Sequence, residues 1–342
     1  MLPQIDPTPI HEVPAHTPLE AVLSSSRPAV IRGLVSGWPL VAASHSGDEQ
    51  AVAYLKRYAN DALPAIATVA PPQARFFYDD DFRGFNFRRE PVALTAALNT
   101  LLRDRVRADA PTIYLGATTC ETFLPGLCAD NPLDLGGRDA LASIWIGNRS
   151  RVPAHQDLPD NLACVAAGRR RFLLFPPEQL PNLYVGPLDV TPAGQPVSLV
   201  DPLAPDLERF PRYAEAMRHA QTAILESGDA LFIPSMWWHH IEALEPFNVL
   251  VNYWWRSAPA YMDAPVNALM LAILCLRDLP PEQRAAWQET FRHYVFEFDA
   301  ERVAGHIPEH ARHVLSALDA DKAANLRAHL LRNLQKQDAA QG

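Results

Sequence analysis

The chain holds four cysteines in 342 residues, Cys120, Cys128, Cys164 and Cys275. They are too few and too scattered for a disulfide framework, and no CxxC pair suggests a structural zinc. Buried thiols in a reducing compartment account for them. Basic charge is scarce as well: 30 Lys and Arg face 39 Asp and Glu, giving a formal charge of −9 and a pI near 5.7. Affinity for nucleic acid comes from clustered cations, and the single tight basic run is Arg169-Arg170-Arg171, so no nucleic-acid partner is expected. Long apolar runs are missing. The most apolar stretch, Pro265 to Leu276, is interrupted by Asn267 and is shorter than the roughly 20 residues that cross a bilayer. It predicts a buried helix or a subunit interface, and no membrane partner. The opening Met1-Leu2-Pro3-Gln4-Ile5-Asp6-Pro7 has neither a cationic start nor an apolar run, so no secretory leader is read and the expected location is cytoplasmic. No internal repeat is found.

What is present is a globular composition. Apolar residues make up 48% and charged residues 20%, which suits one large domain or about two ordinary ones. The 32 prolines point to turns and edge strands rather than to a helical bundle.

The pattern divides the chain in three. Residues 1–110 read as an α/β shell: a short strand in Pro28-Ala29-Val30-Ile31-Arg32-Gly33, and helical spacing over Glu49 to Tyr58 and Pro91 to Arg103, with Leu94, Leu98, Leu101 and Leu102 on one side. Residues 111–258 carry short apolar runs between turn residues: Thr112–Gly116, Ser143–Ile146, Asn161–Ala166, Arg171–Phe175, Ala223–Leu225, Ala230–Ile233 and Val249–Trp255. Runs of this kind predict a sandwich or barrel. The proline-rich connection from Pro176 to Gly228, with a small helix around Pro211 to His219, is long enough to cover a site. Residues 259–342 are helical. Trp287, Phe291, Tyr294, Val295 and Phe298 recur at helical intervals, as do Leu326, Leu330 and Leu334. Those apolar faces need a cover, either the barrel or a second copy of the chain.

Candidate chemistry gathers in two places. In His155-Gln156-Asp157 an extended backbone turns the imidazole and the carboxylate to one face, where both can meet a cation. A third ligand must come from elsewhere. Gly228-Asp229-Ala230-Leu231-Phe232-Ile233-Pro234-Ser235-Met236-Trp237-Trp238-His239-His240 offers His239 after a strand and a proline turn, and two His plus one carboxylate leave the remaining metal positions open. Spacing alone does not choose, because His240-Ile241-Glu242 is a competing HxE. Around the metal, 2-oxoglutarate would need a cation for its far carboxylate, and Arg170 at a strand start is a candidate anchor. Asn252 and Trp254 share one face of the last strand, opposite Val251 and Tyr253, which suits a pocket wall.

These residues resemble the JmjC-type subgroup of the cupin superfamily, and most closely the asparaginyl hydroxylase called factor inhibiting HIF and its bacterial cupin-like relatives. The shared motifs are Pro153-Ala154-His155-Gln156-Asp157, Asn161, Gly168 with Arg170, Leu174-Phe175-Pro176-Pro177, Glu208-Arg209-Phe210-Pro211, Gly228-Asp229, Ile233-Pro234, Trp237-Trp238-His239-His240-Ile241-Glu242 and Val251-Asn252. They cover residues 111–258 well, and Pro28 to Trp38 more loosely. The resemblance implies a mainly β fold with α elements, a double-stranded β-helix core between an N-terminal α/β shell and C-terminal helices. It implies a dioxygenase that uses Fe(II), O2 and 2-oxoglutarate to hydroxylate a protein side chain or small molecule. His155, Asp157 and His239 would be the catalytic metal ligands, with His240 and Glu242 as structural neighbours. Tyr114, Asn161, Arg170 and Asn252 would line the cosubstrate pocket.

The terminal helices resemble the family's dimerisation segment in position, which implies a homodimer. Val152 stands where the hydroxylase has a threonine and Arg170 where it has a lysine. Pro196 and Val197 stand where it grips its target asparagine with Arg and Gln. Two rival readings remain: a cupin that binds metal or a small ligand without oxidising it, and a structural protein assembled through its helical tail.

Overall fold

The computed structural model describes residues 6–341 apart from Ala15 and Ala193, with side chains as far as residue 336. The chain divides into two compact units, Met1–Ser257 and Ala258–Gly342.

The first unit is built on two sheets. The larger has nine strands, in the order Glu12–Pro14, Ala29–Arg32, Ala230–Ile233, Asp160–Ala167, Asn248–Trp255, Leu141–Gly147, Thr112–Thr119, Ala65–Ala70 and Arg88–Val92. The smaller has five: Thr8–Pro9, Gln221–Leu225, Arg170–Phe175, Trp238–Ala243 and Ser150–Gln156. From Leu141 to Phe175 successive strands fall alternately in the larger and the smaller sheet, and from Ala230 to Trp255 they do so again. This antiparallel winding between two faces is a double-stranded β-helix of the jelly-roll kind. The strand Ala29–Arg32 pairs with Ala230–Ile233, and Ala65–Ala70 with Thr112–Thr119, so segments from the first 110 residues extend the larger sheet at both ends.

Strand alternation sorts the side chains into three cores. Between the sheets, Ala163, Val165, Leu231 and Leu250 meet Phe172 and Leu174. Behind the larger sheet, Leu162, Cys164 and Ala166 pack with helical residues that include Leu40, Leu55, Leu94, Leu98 and Leu101. The helix Leu94–Asp104 forms because those leucines recur on one stripe, and each fully buried leucine adds about 1.5–3 kcal/mol of transfer free energy. Outside the smaller sheet, Leu173, Phe175 and Trp238 are covered by Leu183, Val200, Tyr213 and Ala216 of the long connection.

That connection is tied down. Arg75 donates to the carbonyls of Ser198 and Val200 at 2.8 and 3.0 Å, Arg151 pairs with Asp201 at 2.8 Å, and the Ser198 amide donates to Ala154 O at 2.7 Å.

The apolar-run reading located eight of the strands and overlooked others. The expected helix from Pro91 begins at Leu94, because Arg88–Val92 is the edge strand of the larger sheet. The small helix of the connection spans Tyr213–Arg218.

The second unit contains the helices Pro265–Leu276, Pro281–Phe291, Ala300–Ala304 and Ala320–Gln341. The expectation of a buried helix at Pro265–Leu276 does not hold: none of its residues is buried, despite its apolar composition. Among the described residues no helix is long and apolar enough to cross a membrane.

Candidate metal centre

His155 is the penultimate residue of the edge strand Ser150–Gln156 and faces His239 directly across the ladder on Trp238–Ala243. Asp157 follows one residue beyond the strand. The turn that delivers His239 is laced to the Asp157 segment. Met236 donates its amide to Asp157 O at 2.9 Å, and Ser235 bonds Asp160 Oδ1 and Leu158 O through its amide and hydroxyl. Met236 adopts φ 67°, a left-handed conformation uncommon for a residue with a Cβ. The two arms of the site are therefore positioned by one hydrogen-bonded loop pair rather than independently.

One donor atom from each of His155, Asp157 and His239 lies within 4.8 Å of the others. His239 Nε2 is 3.6 Å from Asp157 Oδ2, and the two imidazole centroids are 4.3 Å apart. Each ring is oriented from behind: His155 Nδ1 donates to Pro153 O at 2.9 Å, and His239 Nδ1 donates to Trp237 O at 3.0 Å. With Nδ1 committed to a carbonyl, Nε2 keeps its lone pair for a metal. Burial, reinforced by His239, pushes the His155 pKa down to about 4. Burial opposes ionisation of Asp157, but the contact with His239 and the charges of both imidazoles outweigh it and hold its pKa below the usual carboxylate value. A neutral imidazole beside an anionic carboxylate is the protonation state that a divalent cation requires.

Among the described residues the HxD and HxE alternatives are separated by strand alternation. His239 pairs with Leu174 of the inter-sheet core, whereas His240 pairs with Leu173 of the outer one, so His240 and Glu242 lie on the opposite face.

Between the sheets a second group of polar side chains gathers. Arg170 is buried, donates to Trp145 O at 3.4 Å, and leaves its Nε without a partner among the described residues. Its guanidinium acts on the Tyr114 phenol, whose pKa is raised by burial, and the charge of Asp157 reaches the same phenol. Asn252 accepts from Trp145 Nε1 at 2.7 Å and donates to Asn161 at 3.4 Å. Trp254 stands edge-on to Trp145 at 5.7 Å, and its Nε1 and the hydroxyl of Ser143 have no partner among the described residues. Tyr114, Asn161, Arg170, Asn252 and Trp254 are thus brought together.

The residue overlooked in the sequence is Trp145, which touches four of them. The signal was there: Ser143 and Trp145 alternate with Ile144 and Ile146, and only the isoleucines belong to the core behind the sheet. Gly116 makes room for the ring, since a Cβ there would lie 2.8 Å from it. Val152 sits beside Tyr114 in a small apolar cluster and offers no hydroxyl.

The fold and this arrangement are those of a cupin-like domain of the JmjC type. The sequence profile of the cupin-like domain matches residues 14–261, and the chain belongs to that family. It is 33% identical to human HSPB1-associated protein 1 over 150 residues, 43% of this chain and 30% of that protein. It is 35% identical to the lysine-specific demethylase JMJ31 of Arabidopsis thaliana over 133 residues, 36% of this chain and 24% of that protein. A longer match joins it to the human bifunctional peptidase and (3S)-lysyl hydroxylase JMJD7, 26% identical over 284 residues, 74% of this chain and 84% of that protein. The chain spans less than a third of the length of the first two.

Proposed function

We propose that the chain is a non-haem Fe(II)- and 2-oxoglutarate-dependent dioxygenase that hydroxylates a C–H bond in a protein side chain or a small molecule. One observation carries the reading: a two-imidazole, one-carboxylate triad with free Nε2 atoms shares its inter-sheet space with a buried arginine whose Nε lacks a partner among the described residues. The donor set fits ferrous iron, for which this facial arrangement leaves positions open. When bound there, iron would couple O2 reduction and the decarboxylation of 2-oxoglutarate to oxidation of the substrate.

The chain's own residues supply the rest. His155, Asp157 and His239 hold the ion, and their second hydrogen bonds fix the ring planes. Arg170 and Tyr114 bind the far carboxylate of 2-oxoglutarate, with the guanidinium as a fork where a lysine would be a point charge. Asn161, Asn252 and Trp254 form the wall, and the surrounding indoles and Tyr114 exclude water. Asparagine as the target is not proposed. Val197, where a polar grip would be needed, is buried and bridged to His155. The hydroxylase and demethylase activities of the relatives favour an oxidised carbon beside nitrogen or in an aliphatic side chain.

We further propose that the second unit associates with its copy in a homodimer through apolar side chains such as Leu274 and Phe296, which are 75% and 78% exposed. A cytoplasmic location suits the four free cysteines.

The test is anaerobic titration with Fe(II) and 2-oxoglutarate, followed by succinate release under air without a substrate. Iron-dependent binding of 2-oxoglutarate and slow succinate formation are expected. Iron binding with no affinity for 2-oxoglutarate would instead favour a non-catalytic cupin, the reading that Val152 supports by withholding a hydroxyl from the pocket.

A further inference from the structure

The strand Trp238–Ala243 carries polar side chains on both faces. His239 points between the sheets, while His240 and Glu242 lie on the outer face, 1% and 7% exposed. Neither ring nitrogen of His240 has a hydrogen-bond partner among the described residues. An imidazole carries at least one donor, and leaving buried polar atoms unmet costs about 1–3 kcal/mol each. Glu242 accepts from Arg171 at 3.1 Å, and one of its oxygens lies 3.9 Å from His240 Nε2. That separation is too long for a direct hydrogen bond, yet one small polar group can reach both atoms.

His240, Glu242 and Arg171 line one side of a cavity of about 810 Å³. The rest of its lining is mostly apolar, with Leu173, Leu207, Pro205 and Met217, Leu203 half exposed at the rim, and two further polar residues, Thr222 and the exposed Asp6. Small-molecule sites have this size, roughly 300–1,000 Å³, and this make-up of apolar walls with a few convergent polar groups. A metal is a poor fit. Two donors converge here, against three at the His155 triad, and a guanidinium already sits on the carboxylate. Arg171 offsets the charge of Glu242, and the second carboxylate of the lining, Asp6, is exposed to solvent, so at the buried end beside His240 a neutral polar group is favoured over an anion or a cation.

We propose that this cavity is a second ligand site, on the opposite face of the strand from the metal centre, which takes a small amphipathic molecule with an apolar body and a primary amide end. The amide carbonyl accepts from His240 and its N–H donates to Glu242. The body lies along Leu173, Leu207 and Met217. This site requires nothing of the iron or 2-oxoglutarate reading.

Hexanamide is the probe, titrated into the metal-free full chain carrying ¹⁵N-labelled histidine. A saturable shift of the His240 ring nitrogens is expected, with millimolar affinity. His240→Phe should weaken binding, followed by hexanamide-observed NMR, by about tenfold, the size of one lost hydrogen bond with its partner left unmet. Leu203→Trp fills the exposed rim without touching the polar side and should weaken it similarly; it carries the test if His240→Phe does not fold. The proposal is overturned by ring nitrogens that stay unchanged at every hexanamide concentration, as a cavity holding water alone would give. Undiminished affinity in Leu203→Trp, or hexanoate binding as tightly as hexanamide, overturns it too.

Discussion

The two sheets of the first unit are made of different materials. The larger is backed by an extensive apolar core, and its central strands Asp160–Ala167 and Asn248–Trp255 are buried along almost their whole length. The smaller carries both imidazoles of the triad and Arg170, and one of its edges is a strand with a proline in it. The metal-ligand imidazoles and the buried arginine thus come from the smaller sheet, while the larger holds the barrel's shape and contributes the polar wall with Tyr114, Asn161, Asn252 and Trp254.

Substitutions can test that division, and the largest effect belongs to the smaller sheet. Asp157→Ala should reduce iron-dependent succinate formation to the level seen without iron, while its thermal unfolding stays close to that of the parent. Undiminished turnover would refute the assignment of the triad.

A core change in the larger sheet should do the reverse. Leu162→Ala removes a fully buried side chain and should cost about 2–5 kcal/mol in urea unfolding, with iron affinity of the folded fraction unchanged. If iron affinity fell with stability, the separation of roles would be lost.

Between these lies Arg170→Met. It should leave iron binding intact and weaken 2-oxoglutarate by about ten- to a hundredfold, as expected for a charged hydrogen-bond partner removed from a buried site. Isothermal titration with each ligand separates the two.

The next effect is a matter of pH. His155 sits at about 4 in the folded chain against 6.5 for an ordinary imidazole. Between those values unfolding takes up a proton at this ring, so its contribution to the stability of the metal-free chain is present above 6.5 and is lost as the pH drops toward 4, at up to ~1.4 kcal/mol per pH unit. The lowered pKa of Asp157 acts in the same sense, its contribution fading as the pH falls through its own value. His155→Gln should flatten the slope within this window, as measured by urea midpoints.

The smallest effect on turnover should come from Leu274→Glu in the second unit, where exposed substitutions usually stay within about 0.5 kcal/mol. It should halve the mass in solution, and an unchanged mass would count against the paired helices.

How far the sequence could be read follows burial rather than the division into sheets. Strands such as Ala230–Ile233 and Asn248–Trp255 announce themselves through apolar runs, because burial on both faces favours apolar residues. Ser150–Gln156 and Trp238–Ala243 do not. Pro153 argues against a strand unless that strand lies at an edge, which is where it is found. Trp238-His239-His240-Ile241-Glu242 alternates polar groups to both faces, so no one-sided pattern survives. His155, Asp157 and His239 were singled out through the family resemblance, since spacing alone left His240-Ile241-Glu242 open. Trp145 was not, since an indole in an apolar run looks like core until its neighbours across the sheet are known. The outer placement of His240 and Glu242 depended on the register with Leu173, which no local pattern encodes.

The proline at position 153 has one more consequence. A border strand ordinarily offers a row of amide hydrogens that a neighbouring molecule can zip onto, the first step toward fibrous aggregation. Here one of those hydrogens is missing, and short bridges from Val197 to His155 and from Arg75 to Arg151 screen what remains. The border that must stay accessible to chemistry is the one made unsuitable for polymerisation.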